Sequence, residues 1–202
     1  LVTIDTLRAD HLGAYGYRNR TSPVIDRMAH EGVTFENAYT PVPTTAPALA
    51  SMLTGLHVTE HGVRSNLAPL PAGPTTLGEV FSGAGYDTAG FYGNGAIQHG
   101  FGRGLAVWEP FDERYLPGDS RGTDRALTWL EGAREPWFLW IHYIDPHGPY
   151  TSSLERTESF VYPRSPRLDR QLPVSHRNAV FGKIPHYQAV PGQTRVRDYI
   201  RR

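Results

Sequence analysis

Three groups of residues in this sequence are of types that do chemistry. Asp5 closes a β-rich opening run, Leu1-Val2-Thr3-Ile4-Asp5. A carboxylate at a strand end is either a hard oxygen ligand, suited to Ca²⁺, Mg²⁺, Mn²⁺ or Zn²⁺, or a cap on the following turn. Thr44-Thr45-Ala46-Pro47 sets hydroxyls just ahead of a helix that opens with proline. Free N–H groups and the positive end of the helix dipole converge there, so an anionic ester is held well. A bound divalent ion lowers a hydroxyl pKa and makes a usable nucleophile of it; the competing reading is plain N-capping. The third group, His142-Tyr143-Ile144-Asp145-Pro146-His147-Gly148-Pro149-Tyr150, brings two imidazoles and a carboxylate within six residues, on a turn stiffened by Pro146 and Pro149. They serve as metal ligands or a general acid. The alternative is a buried, hydrogen-bonded His142 and an Asp145 that makes the turn.

The elements around these residues must bring them together. Ser22 and Pro23 form an N-cap and first-turn pair, Ile25, Met28 and Ala29 one helical face, and Gly32 the stop. Val33 to Tyr39 reads as a short extended piece. A second helix begins at Pro47, buries Leu49, Met52 and Leu53, and ends at Gly55. Leu77, Val80, Phe81 and Ala84 give a third helical face, closed by Gly85. Thr88 to Tyr92 is a strand, a helix spans roughly 123–133, and Trp137-Phe138-Leu139-Trp140-Ile141-His142-Tyr143 is a strand covered on both faces. Strands alternating with helices predict an α/β fold with a largely parallel central sheet flanked by helices. Ligands of such sheets bind beyond the carboxyl ends of the strands, so Asp5, Asp145 and His147 are expected to meet over one edge.

Periodicity is lost over residues 151–194, which hold Pro163, Pro166, Pro173, Pro185 and Pro191. That stretch reads as a substrate-covering loop, or as a segment packed on further sequence. Val196, Tyr199 and Ile200 then start an amphipathic helix. A chain that opens inside a strand and stops in a helix is expected to be an incomplete domain. Residues 1–150 would form its N-terminal catalytic part, and residues 151–202 a Pro-rich region and the start of a helix of the same domain.

Composition narrows the function classes. The 20 basic and 20 acidic residues cancel, so no net charge draws the chain toward nucleic acid or anionic lipid. No apolar run approaches the roughly 20 residues of a membrane span. Zero cysteine excludes disulfides, thiolate metal sites and a cysteine nucleophile. Glycine (21) and proline (17) make up about a fifth of the 202 residues, against about 12% on average, so much of the chain is turn and loop. Two such loops are polar or glycine-rich, Glu60-His61-Gly62-Val63-Arg64-Ser65-Asn66 and Phe91-Tyr92-Gly93-Asn94-Gly95. Neither runs into Gly-Lys-Ser/Thr, and the only lysine is Lys183, which argues against a nucleotide-binding loop.

Taken together these segments resemble the N-terminal part of a sulfatase of the alkaline phosphatase superfamily. The matching stretches are Val2-Thr3-Ile4-Asp5-Thr6-Leu7-Arg8-Ala9-Asp10, then Ser22-Pro23-Val24-Ile25-Asp26-Arg27-Met28-Ala29-His30-Glu31-Gly32-Val33-Thr34-Phe35 and Asn37-Ala38-Tyr39. Thr45-Ala46-Pro47-Ala48-Leu49-Ala50-Ser51-Met52-Leu53-Thr54-Gly55 and Asp145-Pro146-His147-Gly148-Pro149-Tyr150 follow in the family's order. The resemblance implies a hydrolase of sulfate esters dependent on one divalent ion, usually Ca²⁺, with Mn²⁺ or Zn²⁺ as alternatives. It implies that Asp5 and Thr45 are metal ligands and that Thr45 holds the nucleophile position. His147 would touch the ester and protonate the leaving group, with Asn66 near the bound anion. Asn94 and His142 are further candidates for substrate contact, while Arg8 and Asp10 brace the first motif. The implied substrate is a small-molecule, glycan or lipid ester.

Three departures from the family pattern bear on the chemistry. The sulfatase nucleophile is a formylglycine made from Cys or Ser, which Thr45 cannot become; in related phosphotransfer enzymes threonine attacks directly. The basic residue usual four positions later is Leu49, and the small hydroxyl before it is Ala48. The lysine often found in the Gly-Tyr-x-Thr segment is missing from Gly85-Tyr86-Asp87-Thr88. The alternatives are therefore a phosphodiesterase or phosphonate-ester hydrolase on the same scaffold, or a non-catalytic relative that binds a sulfated or phosphorylated ligand.

Overall fold

The computed structural model describes residues 1–111, 121–147, 171, 173–175 and 184–185. Residues 1–111 and 121–143 belong to one unit, and the described residues from 144 onward to a second.

Four strands build the sheet of the first unit: β1 (Val2–Ile4), β2 (Asp87–Tyr92), β3 (Val107–Pro110) and β4 (Trp137–Tyr143). They lie in the order β1-β4-β2-β3, and every pairing is parallel. The apolar run of β4 sits between two neighbours and is buried from Phe138 to His142, as a strand with both faces covered must be. The two-residue period then sorts its side chains. Phe138 and Trp140 join a cluster with Ala46, Leu49, Ala50, Leu53, Val63, Tyr92, Ile97 and Phe101, while Leu139 and Ile141 join one with Ala89, Phe91, Phe111 and Ala126.

Five helices accompany the sheet in the described residues: α1 (Pro23–Glu31), α2 (Thr45–Thr54), α3 (Val58–His61), α4 (Leu77–Gly83) and α5 (Arg121–Gly132). Helix α2 supplies the first cluster through Leu49 and Leu53, and burying each such side chain contributes roughly 1.5–3 kcal/mol. Helix α4 starts with a reciprocal capping box, in which Thr76 Oγ1 accepts the Glu79 N–H and Glu79 Oε2 accepts the Thr76 N–H. Glycine is required where neighbouring side chains pack tightly onto the strand. A Cβ on Gly90 of β2 would come within 2.6 Å of the Trp108 ring and 2.7 Å of Leu105.

Several expectations are corrected. Helix α2 begins at Thr45, not Pro47, and Pro47 is its third residue. Proline is tolerated anywhere in a first turn, because those N–H groups have no intrahelical acceptor. Met52 is 42% exposed and Val80 of α4 56% exposed, so the buried stripes are narrower than drawn. No residue of α1 is buried and Met28 lies at its surface; Val33–Tyr39 forms no strand. The short strand β3 and helix α3 carried no periodicity long enough to read. Within residues 151–194, the second unit contains β5 (Val174–Ser175) paired in parallel with β6 (Ile184–Pro185). The rest of that stretch and the helix expected from Val196 lie outside the described residues.

Candidate active site

Three neighbouring strands end together at one edge of the sheet. Strand β1 runs into Asp5, β4 ends at His142 and Tyr143, and β2 leads through Gly93 to Asn94. Register links them: Thr3 lies opposite His142 and Tyr92 opposite His142 on its other side, while the Asp5 N–H donates to the Tyr143 carbonyl at 2.8 Å. Asp5, two residues beyond Thr3, falls on the same face of the sheet. Thr6 follows with a φ of 54°, a left-handed conformation that β-branched residues rarely adopt and that costs roughly 1–3 kcal/mol. The chain thus turns sharply away immediately after the carboxylate.

Asp5 is buried, at 9% exposure. Its Oδ2 accepts a hydrogen bond from Thr45 Oγ1 at 3.2 Å and another from Asn94 Nδ2 at 2.6 Å, across 40 and 89 residues of sequence. The amide orientation of Asn94 is fixed because its Oδ1 accepts the Ala96 N–H at 2.9 Å. His142 Nε2 lies 3.7 Å from the same carboxylate oxygen. Asp5 therefore reaches distant elements instead of only capping its own turn. Thr44 is the N-cap of α2 yet makes no side-chain cap bond, and the Thr45 hydroxyl at the first helical position turns toward Asp5. The capping alternative for this threonine pair is not what the structure shows.

Asn66 has a task that spacing did not reveal. Its Oδ1 accepts the Ala46 N–H at 2.9 Å, so a loop residue satisfies one of the free donors at the start of α2. The loop is itself anchored by His61, which is buried at 1% exposure. His61 Nδ1 accepts the Val63 N–H at 3.1 Å, which leaves the ring proton on Nε2 to be donated to Ser51 Oγ of α2 at 2.9 Å. Burial, with His57 nearby, pushes the His61 pKa down. Leu49, which stands where a cation was sought, is packed in the core with Leu53 and Trp140.

Arg8 and Asp10 pair at the surface through two bonds, Nε to Oδ1 at 2.9 Å and Nη2 to Oδ2 at 2.6 Å. With His11 beside it, this guanidinium holds the Asp10 carboxyl well below the usual range. Asp145 and His147 belong to the second unit, where the His147 N–H closes a turn onto the Ile144 carbonyl at 2.8 Å. The meeting of Asp5, Thr45, Asn94 and His142 is a property of the first unit. Hard oxygens at Asp5 and Thr45 suit a divalent cation, but they make only part of a shell of six to eight. Among the described residues no cluster of three or more His, Asp or Glu side chains completes it.

Comparison with known proteins follows the same lines. The chain is 29% identical over 217 residues to the multifunctional alkaline phosphatase superfamily protein PehA of Trinickia caryophylli, covering 76% of this chain and 42% of that protein. It is 30% identical over 161 residues to a Delta 4,5-hexuronate-2-O-sulfatase of Bacteroides thetaiotaomicron, covering 70% and 33%. The phosphonate monoester hydrolase of Agrobacterium radiobacter shares the fold, with a TM-score of 0.68 at 20% identity over 79% of this chain and 43% of that one. The chain thus spans less than half the length of these relatives. A family model for sulfatases matches residues 1–194, and the chain belongs to the sulfatase family, within the alkaline phosphatase superfamily.

Proposed function

We propose that this chain carries the nucleophile half of a metal-dependent ester hydrolase that cleaves sulfate esters, with Thr45 in place of formylglycine. The observation that carries this reading is the 3.2 Å contact of Thr45 Oγ1 with the buried Asp5 carboxylate at the carboxyl edge of a parallel sheet. Asp5 and Thr45 would hold one divalent ion, Ca²⁺ by preference, whose charge lowers the hydroxyl pKa and offsets charge on the ester oxygens. As Thr45 Oγ1 attacks sulfur, its proton passes to Asp5 Oδ2, the acceptor it already faces, and returns to Oγ1 when the threonine ester is cleaved. The ester S–O bond breaks, and the departing oxygen takes a proton from a general acid, the role that the family resemblance gives to His147. Water then cleaves the threonine ester and restores the hydroxyl. Asn94 holds Asp5 in place through its oriented amide. Pro47 has no N–H and the Ala46 N–H is engaged by Asn66, so the anion is left to the remaining N–H groups at the start of α2, that of Thr45 among them.

A second reading, hydrolysis of phosphate diesters or phosphonate esters by the same groups, is favoured by Thr45 itself, since a threonine side chain attacks phosphorus directly without prior oxidation. Sulfated sugars are the substrates named for the Bacteroides relative, which supports a glycan ester for the first reading. Matched sulfate and phosphonate esters of one phenol separate the two when assayed on the protein with its native flanking sequence. Hydrolysis of at least one ester, abolished by a chelator and restored by Ca²⁺ or Mn²⁺, is expected. Failure to cleave either ester in the metal-loaded protein would contradict both readings and leave a ligand-binding relative.

A further inference from the structure

His142 is buried, at 2% exposure, yet among the described residues its Nε2 has no hydrogen-bond partner and lies 3.7 Å from Asp5 Oδ2. A buried ring nitrogen left this way calls for an explanation. The other nitrogen is committed. Trp140 Nε1, a donor only, gives its proton to Thr3 Oγ1 at 3.0 Å. Thr3 Oγ1 in turn lies 2.8 Å from His142 Nδ1 and 3.5 Å from the Ile141 carbonyl. Having accepted from Trp140, the hydroxyl sends its single proton to the nearer acceptor, Nδ1, because 3.5 Å is the outer limit of a hydrogen bond. The ring proton of His142 therefore sits on Nε2 and faces Asp5. Sheet register enforces the arrangement, since Thr3 and His142 are directly paired and Trp140 shares their face.

We propose that Trp140, Thr3 and His142 form a relay that fixes His142 as the Nε2–H tautomer and makes it a positioning residue for Asp5. A slight closure of the 3.7 Å gap gives the Asp5 carboxylate a further oriented donor beside Thr45 and Asn94. Such partners fix the direction in which a carboxylate presents its remaining lone pairs, and losing one typically lowers metal affinity 10–100-fold. The part concerning affinity rests on the reading of Asp5 as a cation ligand; the tautomer does not. His142 on this account acts through Asp5 and does not touch substrate.

Long-range ¹H–¹⁵N spectra of the ¹⁵N-histidine-labelled 202-residue chain, with His142→Gln identifying the signal, read the tautomer directly. The Nε2–H pattern is expected in the unsubstituted chain and in Thr3→Ser, with a shift toward Nδ1–H in Thr3→Val. Calorimetric Ca²⁺ titration of the same variants, carried in the protein with its native flanking sequence, should show affinity kept in Thr3→Ser and lowered roughly tenfold in Thr3→Val. An Nδ1–H or doubly protonated ring in the unsubstituted chain would overturn the relay, whatever happens to the variants. Unchanged Ca²⁺ affinity in a folded Thr3→Val would overturn the positioning role. If the unsubstituted protein with its native flanking sequence binds no Ca²⁺, the metal-hydrolase reading fails instead, and the tautomer alone decides for or against the relay.

Discussion

A single carboxylate oxygen gathers the chemistry of the first unit. Asp5 Oδ2 receives the Thr45 hydroxyl and the Asn94 amide, with the His142 ring at 3.7 Å. Asp5→Asn keeps the shape of the side chain but removes the charge and one hard oxygen. It should lower Ca²⁺ affinity by more than about 100-fold with little loss of melting temperature, as calorimetry and thermal unfolding would report. The places of Asp5 after a strand and Thr45 at a helix start were legible from the sequence, because such ends are marked by local composition. The partnership of Thr3 with His142 was not, because it depends on which strand lies beside β1. Nor did sequence spacing show that Asn66 spends its oxygen on a backbone N–H, a bond formed across 20 residues.

Among the elements, the start of α2 is held from outside by the loop of residues 62–66. Asn66→Ala removes the acceptor for the Ala46 N–H and should cost about 1 kcal/mol in a urea titration, similar to loss of an N-cap. His61 ties the base of this loop to α2 through Ser51. Its pKa is pushed below the ordinary 6.5 by burial, so the unfolded chain takes up the proton first as pH falls. The contribution of His61 is therefore complete above pH 6.5 and is lost as pH drops below that value. Melting temperature should fall on acidification through this window, and the His61→Gln variant should show a shallower dependence. Helix positions were read well where Gly, Pro and hydroxyl residues punctuate the chain. Their buried faces were read less well: Met28, Met52 and Val80 satisfy the period yet stand exposed, because periodicity names a face without showing what packs on it.

For the first unit as a whole, the doubly covered β4 was the most informative segment, since an apolar run of seven residues with no alternation belongs in the middle of a parallel sheet. The strand order β1-β4-β2-β3 was beyond reading, because it joins the first and last strands of the unit across some 140 residues. Close packing against this sheet leaves no room at Gly90. Gly90→Ala should destabilise the protein by about 1–3 kcal/mol by chemical denaturation, through displacement of Trp108 and Leu105. Trp108 stacks on both Tyr92 and Trp140, so tryptophan fluorescence should report the same shift.

The nucleophile assignment is tested most directly by the rate of ester cleavage in Thr45→Ala and Thr45→Ser proteins carrying their native flanking sequence and loaded with metal. The account predicts a loss of at least about a thousandfold in kcat for alanine, with serine retaining measurable chelator-sensitive turnover. Cleavage by Thr45→Ala at the rate of the unsubstituted protein would contradict it.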